Sequence, residues 1–141
     1  VNAPEVTAIP VYRKLQEWLN ALPHLRGRVE ATLVPTINSP AGVLEFDWPD
    51  SRPEATGGIK AVSYNYFFDI YLSVEDASDA MQMLLEILVA LRAKVDNDPQ
   101  LEGLADNVIL GNGGRAFSVG TNLVKPMVIT VFTEEGSEYG G

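Results

Sequence analysis

The clearest pattern in the chain is the alternation in "KAVSYNYFFDIYLS". Val62, Tyr64, Tyr66, Phe68, Ile70 and Leu72 share one parity, and Ser63, Asn65, Phe67, Asp69 and Tyr71 share the other. Period two in a run rich in aromatic and β-branched residues predicts a strand. About twelve residues at ~3.3 Å each would reach close to 40 Å, roughly twice the usual strand length. A domain of this size is about 30 Å across. The pattern therefore predicts a strand with one end projecting, or a strand bent by a bulge.

A different period follows. In "VEDASDAMQMLLEILVALRAKV", Ala77, Ala80, Met81, Leu84, Ile87, Leu88, Leu91 and Val95 recur at helical spacing. Met83, Leu85 and Val89 widen the stripe, so this helix should bury against more than one surface: the sheet, and either the first helix or a neighbouring subunit. Ser73 with Asp76 resembles a capping box. Acidic residues open the helix and Arg92 and Lys94 close it, the order that suits its dipole.

Upstream, Val11, Leu15, Trp18, Leu19 and Leu22 share one face of a short helix that Pro10 would open and Pro23 would end. "VEATLVPT" and "VLEFDW" alternate as strands. "PDSRPEATGG", residues 49–58, reads as a long loop. Downstream, "DNDPQLEGLAD" stops the long helix, and "NVILGNGGRAFSVG" and "KPMVITVFTEE" read as a hairpin and a final strand. The ends, 1–9 and 134–141, carry too little apolar content to be held down. The whole predicts one α+β domain: a mainly antiparallel mixed sheet of about five to six strands, with a long central helix and a short N-terminal helix packed on it and a projecting β-hairpin.

The glycine cluster Gly111-Asn112-Gly113-Gly114 invites a phosphate-loop reading. Such a loop needs a helix directly after it, so that backbone N–H groups face the anion. Here "AFSVG" follows, a strand pattern, and no Gly-Lys-Ser/Thr is present. Asn-Gly is a strong hairpin signal because both positions accept positive φ, so the cluster is expected to reverse the chain, with Arg115 just behind the turn.

Composition narrows the chemistry. The 141 residues include no cysteine and one histidine, His24, placed in a loop or at a helix end. A disulfide framework and thiolate chemistry are excluded, and a nucleophile–base pair has little material. "DNDPQLEG" departs from a calcium loop: counted from Asp96, Gln100 and Leu101 stand where an oxygen ligand and glycine are needed, and Pro99 interrupts. Asp69, in its aromatic strand, lacks a visible partner acid. We expect no enzyme activity, no cofactor and no metal. Ten basic residues against nineteen acidic give a net charge of −9, which repels nucleic acid. No apolar run is long enough to cross a bilayer, and "VNAPEVTAIP" does not read as a secretory signal, so a soluble protein assembled in the cytoplasm is expected.

The block "LEILVALRAKVDNDPQLEGLADNVIL" combines a long apolar helix, the turn Asp98-Pro99-Gln100-Leu101-Glu102-Gly103, and a valine-rich strand. With the chain's size and element order, it resembles the tail terminator (tail-completion) proteins of long-tailed bacteriophages. The resemblance covers about two-thirds of the chain and carries no catalytic residues. It implies a homo-oligomeric ring, usually a hexamer, that closes the head-proximal end of the tail tube. Its partners would be the tail tube protein, the head–tail connector protein, and DNA passing through the lumen without specific binding. On that reading the subunit or tube interface falls at Trp48, Arg52, Glu54, Phe67, Asp69 and Tyr71, with Phe67 and Tyr71 as anchors on the polar parity. Two other readings stay open: another neck protein, stopper or adaptor, and a soluble dimeric module with a ligand pocket between the aromatic strand and the long helix.

Overall fold

The computed structural model describes residues 4–30, 39–53, 59–73, 75 and 77–136. Helix α1 (Pro4–Asn20) is followed by strands β1 (Val29–Glu30), β2 (Ala41–Pro53) and β3 (Ile59–Ser73). Helix α2 (Ala77–Asn97) and a short 3-10 turn (Leu101–Gly103) lead into β4 (Asn107–Asn112), β5 (Phe117–Val119) and β6 (Asn122–Gly136). The six strands form one sheet in the order β1-β2-β3-β6-β4, with β5 also on β6. Among the described residues β1 alone is parallel to its neighbour, and every other pair is antiparallel. This is an α+β fold with a mixed sheet, as the periodicities predict.

The parity of β3 divides the two faces. Tyr64, Tyr66, Phe68 and Ile70 are fully buried, and Met127, Ile129 and Val131 of β6 lie on the same side. Against them pack Val11, Leu15 and Leu19 of α1 and Leu84, Ile87 and Leu91 of α2, so both helices cover one face. Burying each such side chain contributes roughly 1.5–3 kcal/mol. Polar ends inside this layer find partners: the Tyr12 hydroxyl donates to the Leu44 carbonyl at 2.8 Å. The ribbon that the sequence leaves too long for one subunit is thus sheltered along its aromatic parity by its own helices. It is also paired along its length, with β2 on one side and β6 on the other.

Several boundaries differ from expectation. Helix α1 starts at Pro4, well before Pro10, which sits inside the helix. Pro10 removes one backbone donor there, yet the helix continues through it. Residues 49–53, expected in a loop, continue β2 past a register shift between Asp47 and Asp50. Among the described residues, β2 beyond Gly42 and Val43 has a partner on one side, β3, and an edge position of that kind tolerates proline. Residues 134–136, expected loose, pair with Ile59–Ala61. The anticipated β2–β3 hairpin is therefore backed by a third strand, β6, past the point where β4 begins at Asn107. Of "VEATLVPT", Val29 and Glu30 are strand and the rest lies outside the described residues. Asp76 of the expected capping box lies outside the described residues; Ser73 Oγ accepts the Glu75 N–H at 3.3 Å, ahead of the helix start at Ala77.

The Asp-Pro-Gln-Leu-Glu-Gly turn has a plain packing role. Asp98 Oδ1 accepts the Glu102 N–H at 3.0 Å, Leu101 is driven into the core, and Gly103 takes φ +92°. Lys14 of α1 reaches Glu102 at 2.7 Å, and this contact pushes the lysine's pKa up. Among the described residues no helix is long and apolar enough to cross a membrane.

Candidate functional site

The face of the sheet turned away from the helices is built from the other parity. Its cross-strand rows follow from the register. Tyr71, Val124 and Phe117 lie side by side; so do Glu45, Phe67, Val128 and Gly111; then Asn65, Thr130 and Ile109; then Ser63, Phe132 and Asn107. Thr130 Oγ1 donates to Asn65 Oδ1 at 3.0 Å, joining two strands across this face. At one end, Val43, Tyr71 and Val124 form a small buried cluster of their own. Elsewhere the apolar side chains stand in solvent. Phe67 and Phe132 are each 39% exposed, Ile109 48%, Phe117 50% and Val119 51%.

The glycine cluster shapes this surface, though not by reversing the chain. Gly111 and Asn112 belong to β4, opposite Val128 and Met127 of β6, and β5 resumes on the same strand in the same direction. Residues 113–116 are therefore a bulge in one interrupted edge strand. The reversal comes later, at Gly120-Thr121 between the paired Val119 and Asn122, with Gly120 at φ +59°. Between Asn112 and Phe117 the edge carries two residues more than β6 does between their partners, Met127 and Val124. An even surplus keeps parity, so Ile109 and Phe117 emerge on the same side.

Local sequence holds the bulge. Asn112 Oδ1 accepts the Gly114 N–H at 3.0 Å, and Lys125 Nζ donates to both Asn112 Oδ1 and the Gly114 carbonyl. Gly113 donates to the Pro126 carbonyl at 3.1 Å, and it lies so close that a Cβ there would sit 2.9 Å from the Pro126 carbonyl carbon. No helix follows, so no helix N-terminus faces an anion. Arg115 is exposed within the bulge rather than at the start of a strand.

The six residues singled out from the sequence scatter. Phe67 is on the open face and exposed; Asp69, on the same strand and face, is half-buried; Tyr71 is 9% exposed and offers little to a partner. Trp48 falls at the register shift of β2, and Arg52 pairs along the backbone with Ala61. Glu54 lies outside the described residues. Asp69, read from sequence as lacking a partner acid, has one. Glu45, one register step away on β2, adds its negative charge to the larger effect of burial, and together they push the Asp69 carboxyl's pKa up. Ile109, Phe117 and Phe132 were missed as a surface because each sits in a short or final strand whose inner parity looked just as apolar. The signal that finds them is register: all three fall on the side of Phe67, opposite the helices.

Across the molecule, His24 Nε2 meets Glu86 Oε2 at 2.6 Å, tying the turn after α1 to α2. That contact first, and then the Gln82 amide, hold the Glu86 carboxyl below its ordinary pKa. Between β3 and α2, where a ligand pocket would be placed, Tyr64, Tyr66 and Phe68 share one buried core cluster with Leu84, Ile87 and Leu91.

Fold and surface together define a two-layer α+β domain whose described residues leave one broad side of the sheet to solvent. No protein-family model matches the chain, and no curated protein matches its sequence.

Proposed function

We propose that the protein is a phage virion component, a tail terminator. Copies of it form a ring, taken as a hexamer, at the head-proximal end of the tail tube; the ring stops tube polymerisation and joins the tail to the head connector. The observation that carries this reading is the uncovered apolar side of the sheet, with Phe67, Ile109, Phe117 and Phe132 in solvent. Contiguous apolar surface of this kind marks an interface with another macromolecule. The resemblance of the helix–turn–strand block supplies the class of partner. A net charge of −9 per copy supports a lumen along which DNA slides without adsorbing. The role is assembly in the virion, with no catalytic group. The residues between β3 and α2 are buried in the hydrophobic core, which gives nothing to favour the dimeric ligand-binding reading.

The test is tube growth. Purified tube protein polymerised with this chain should stop elongating at substoichiometric amounts, and electron microscopy should show a ring of identical copies at one tube end. Unchanged tube growth, with a stable monomeric or dimeric mass for the chain, overturns the proposal.

A further inference from the structure

The chain has eight asparagines, and one of them, Asn112, is followed by glycine. That pair carries covalent chemistry of its own. The amide nitrogen of the following residue can attack the asparagine Cγ, and glycine, having no Cβ, leaves that nitrogen least shielded. The structure holds both reacting groups. The Gly113 N–H donates to the Pro126 carbonyl at 3.1 Å. Asn112 Oδ1 accepts the Gly114 N–H at 3.0 Å and a bond from Lys125 Nζ. Lys125 Nζ also donates to the Gly114 carbonyl, so one ammonium clasps the stretch on both sides of Gly113.

The two groups are held in opposite senses. Two donors on Oδ1, one of them charged, draw electron density from Cγ and suit the negative charge that builds on Oδ1 during attack. The electrophile is therefore primed, while the nucleophile is withheld. Gly113 must give up the proton it shares with Pro126 and turn its nitrogen toward Cγ. It lies so close to β6 that a Cβ on it would stand 2.9 Å from the Pro126 carbonyl carbon. Asn112 is itself a strand residue, paired with Met127. Reaction needs the bulge to leave β6. Among the described residues, β4 and β5 are paired on one side, to β6, and an edge segment of this kind opens at a lower free energy than the core. Asn112 and Gly113 are exposed, so water and hydroxide reach them.

We propose that Asn112-Gly113 is a deamidation site that the bulge holds shut and that local opening of the β4–β5 edge releases. On release the Gly113 nitrogen, its proton taken by hydroxide, bonds to Asn112 Cγ; the Cγ–Nδ2 bond breaks, ammonia leaves, and a cyclic imide closes. Water then opens the ring. Cleavage between Cγ and the nitrogen gives aspartate with the main chain intact. Cleavage between the main-chain carbonyl carbon and the nitrogen gives isoaspartate, whose main chain runs through Cβ and Cγ. The two products meet the bulge differently. An aspartate carboxylate accepts the same two donors and turns the Lys125 bond into an ion pair, so the edge closes again. Isoaspartate places an extra carbon ahead of Gly113 and carries its N–H off the Pro126 carbonyl, so the edge stays open. The site stands independently of the ring reading.

The test is peptide mapping by mass spectrometry, with an isoaspartate readout, on full-length protein aged at pH 8. Chain unfolded in urea should deamidate at Asn112 ahead of its other asparagines. Folded chain should do so about tenfold more slowly or less, because only its open fraction reacts. Lys125→Met, checked by melting for an intact fold, loosens the clasp. The withheld nucleophile limits the folded rate, so this variant should react several-fold faster than wild type when folded and at the wild-type rate in urea. Asn112→Asp should melt no lower than wild type at pH 7. Equal rates in folded and unfolded wild type overturn the proposal, and this comparison stands by itself should Lys125→Met not fold. A folded Lys125→Met that reacts no faster than wild type overturns the clasp. A lower melting temperature for Asn112→Asp overturns the reclosing of the aspartate form.

Discussion

Asp69 shows how a single side chain can work against the fold. It sits half-buried on the open face, with Glu45 diagonal to it across β2 and β3, and both burial and that charge raise its pKa. A carboxyl whose folded pKa lies above its unfolded one contributes stability below the unfolded pKa and loses it as pH rises through the folded value. At neutral pH the ionised Asp69 is therefore a net cost. Asp69→Asn should raise the melting temperature at pH 7, and the gap should close as the pH falls below the usual carboxylate range. Equal melting temperatures at pH 7 would mean that Asp69 is well solvated. Glu86 has the opposite sign: its pKa is held low by His24, so its contribution is present above the unfolded value and fades as acid protonates it. Glycines divide in a similar way. A methyl on Gly113 would press on the Pro126 backbone at 2.9 Å, while one on Gly111 would meet the Val128 carbonyl oxygen at an ordinary 3.5 Å. Chemical denaturation should show Gly113→Ala losing about 1–3 kcal/mol and Gly111→Ala losing much less.

At the scale of elements, α2 has two unlike sides. Ile87→Ala empties a fully buried site and should cost about 2–5 kcal/mol. Val89→Ala, two residues on but 68% exposed, should change the stability of the single chain by no more than about 0.5 kcal/mol. Comparable losses would show that Val89 is covered within the chain. The elements also show what the sequence reveals by itself. The long helix and the aromatic strand are plain from it because their periods run uninterrupted and a single face takes all the burial. Pro10 misleads because local chemistry favours it at a helix start, whereas Pro4 begins the helix and Pro10 is tolerated inside. The Asn-Gly pair misleads in the same manner: its turn preference is real, but Lys125 and the Pro126 carbonyl, both distant in sequence, hold it as a bulge. Partners supplied by tertiary structure leave no periodic trace. The candidate surface was only partly legible for that reason. Phe67 announces itself by breaking a polar parity, while Ile109, Phe117 and Phe132 become a surface only once the register of β4, β5 and β6 is known.

At the scale of the molecule, the aromatic ribbon is not what calls for neighbours. Its inner parity is closed off by α1 and α2, and its edges are paired. The case for association passes instead to the apolar side chains that the chain leaves in solvent while it otherwise satisfies its own core. A chain so arranged can fold alone and still have reason to assemble, as the proposed ring requires.

The surplus in the edge strand at 113–116 sets a counting rule for this protein. Trimming or adding residues there in twos leaves Phe117 and Val119 looking outward beside Ile109. Losing or gaining a single residue rotates everything up to the Gly120-Thr121 reversal by half a turn, drawing those side chains inward and erasing part of the surface without touching a residue in it.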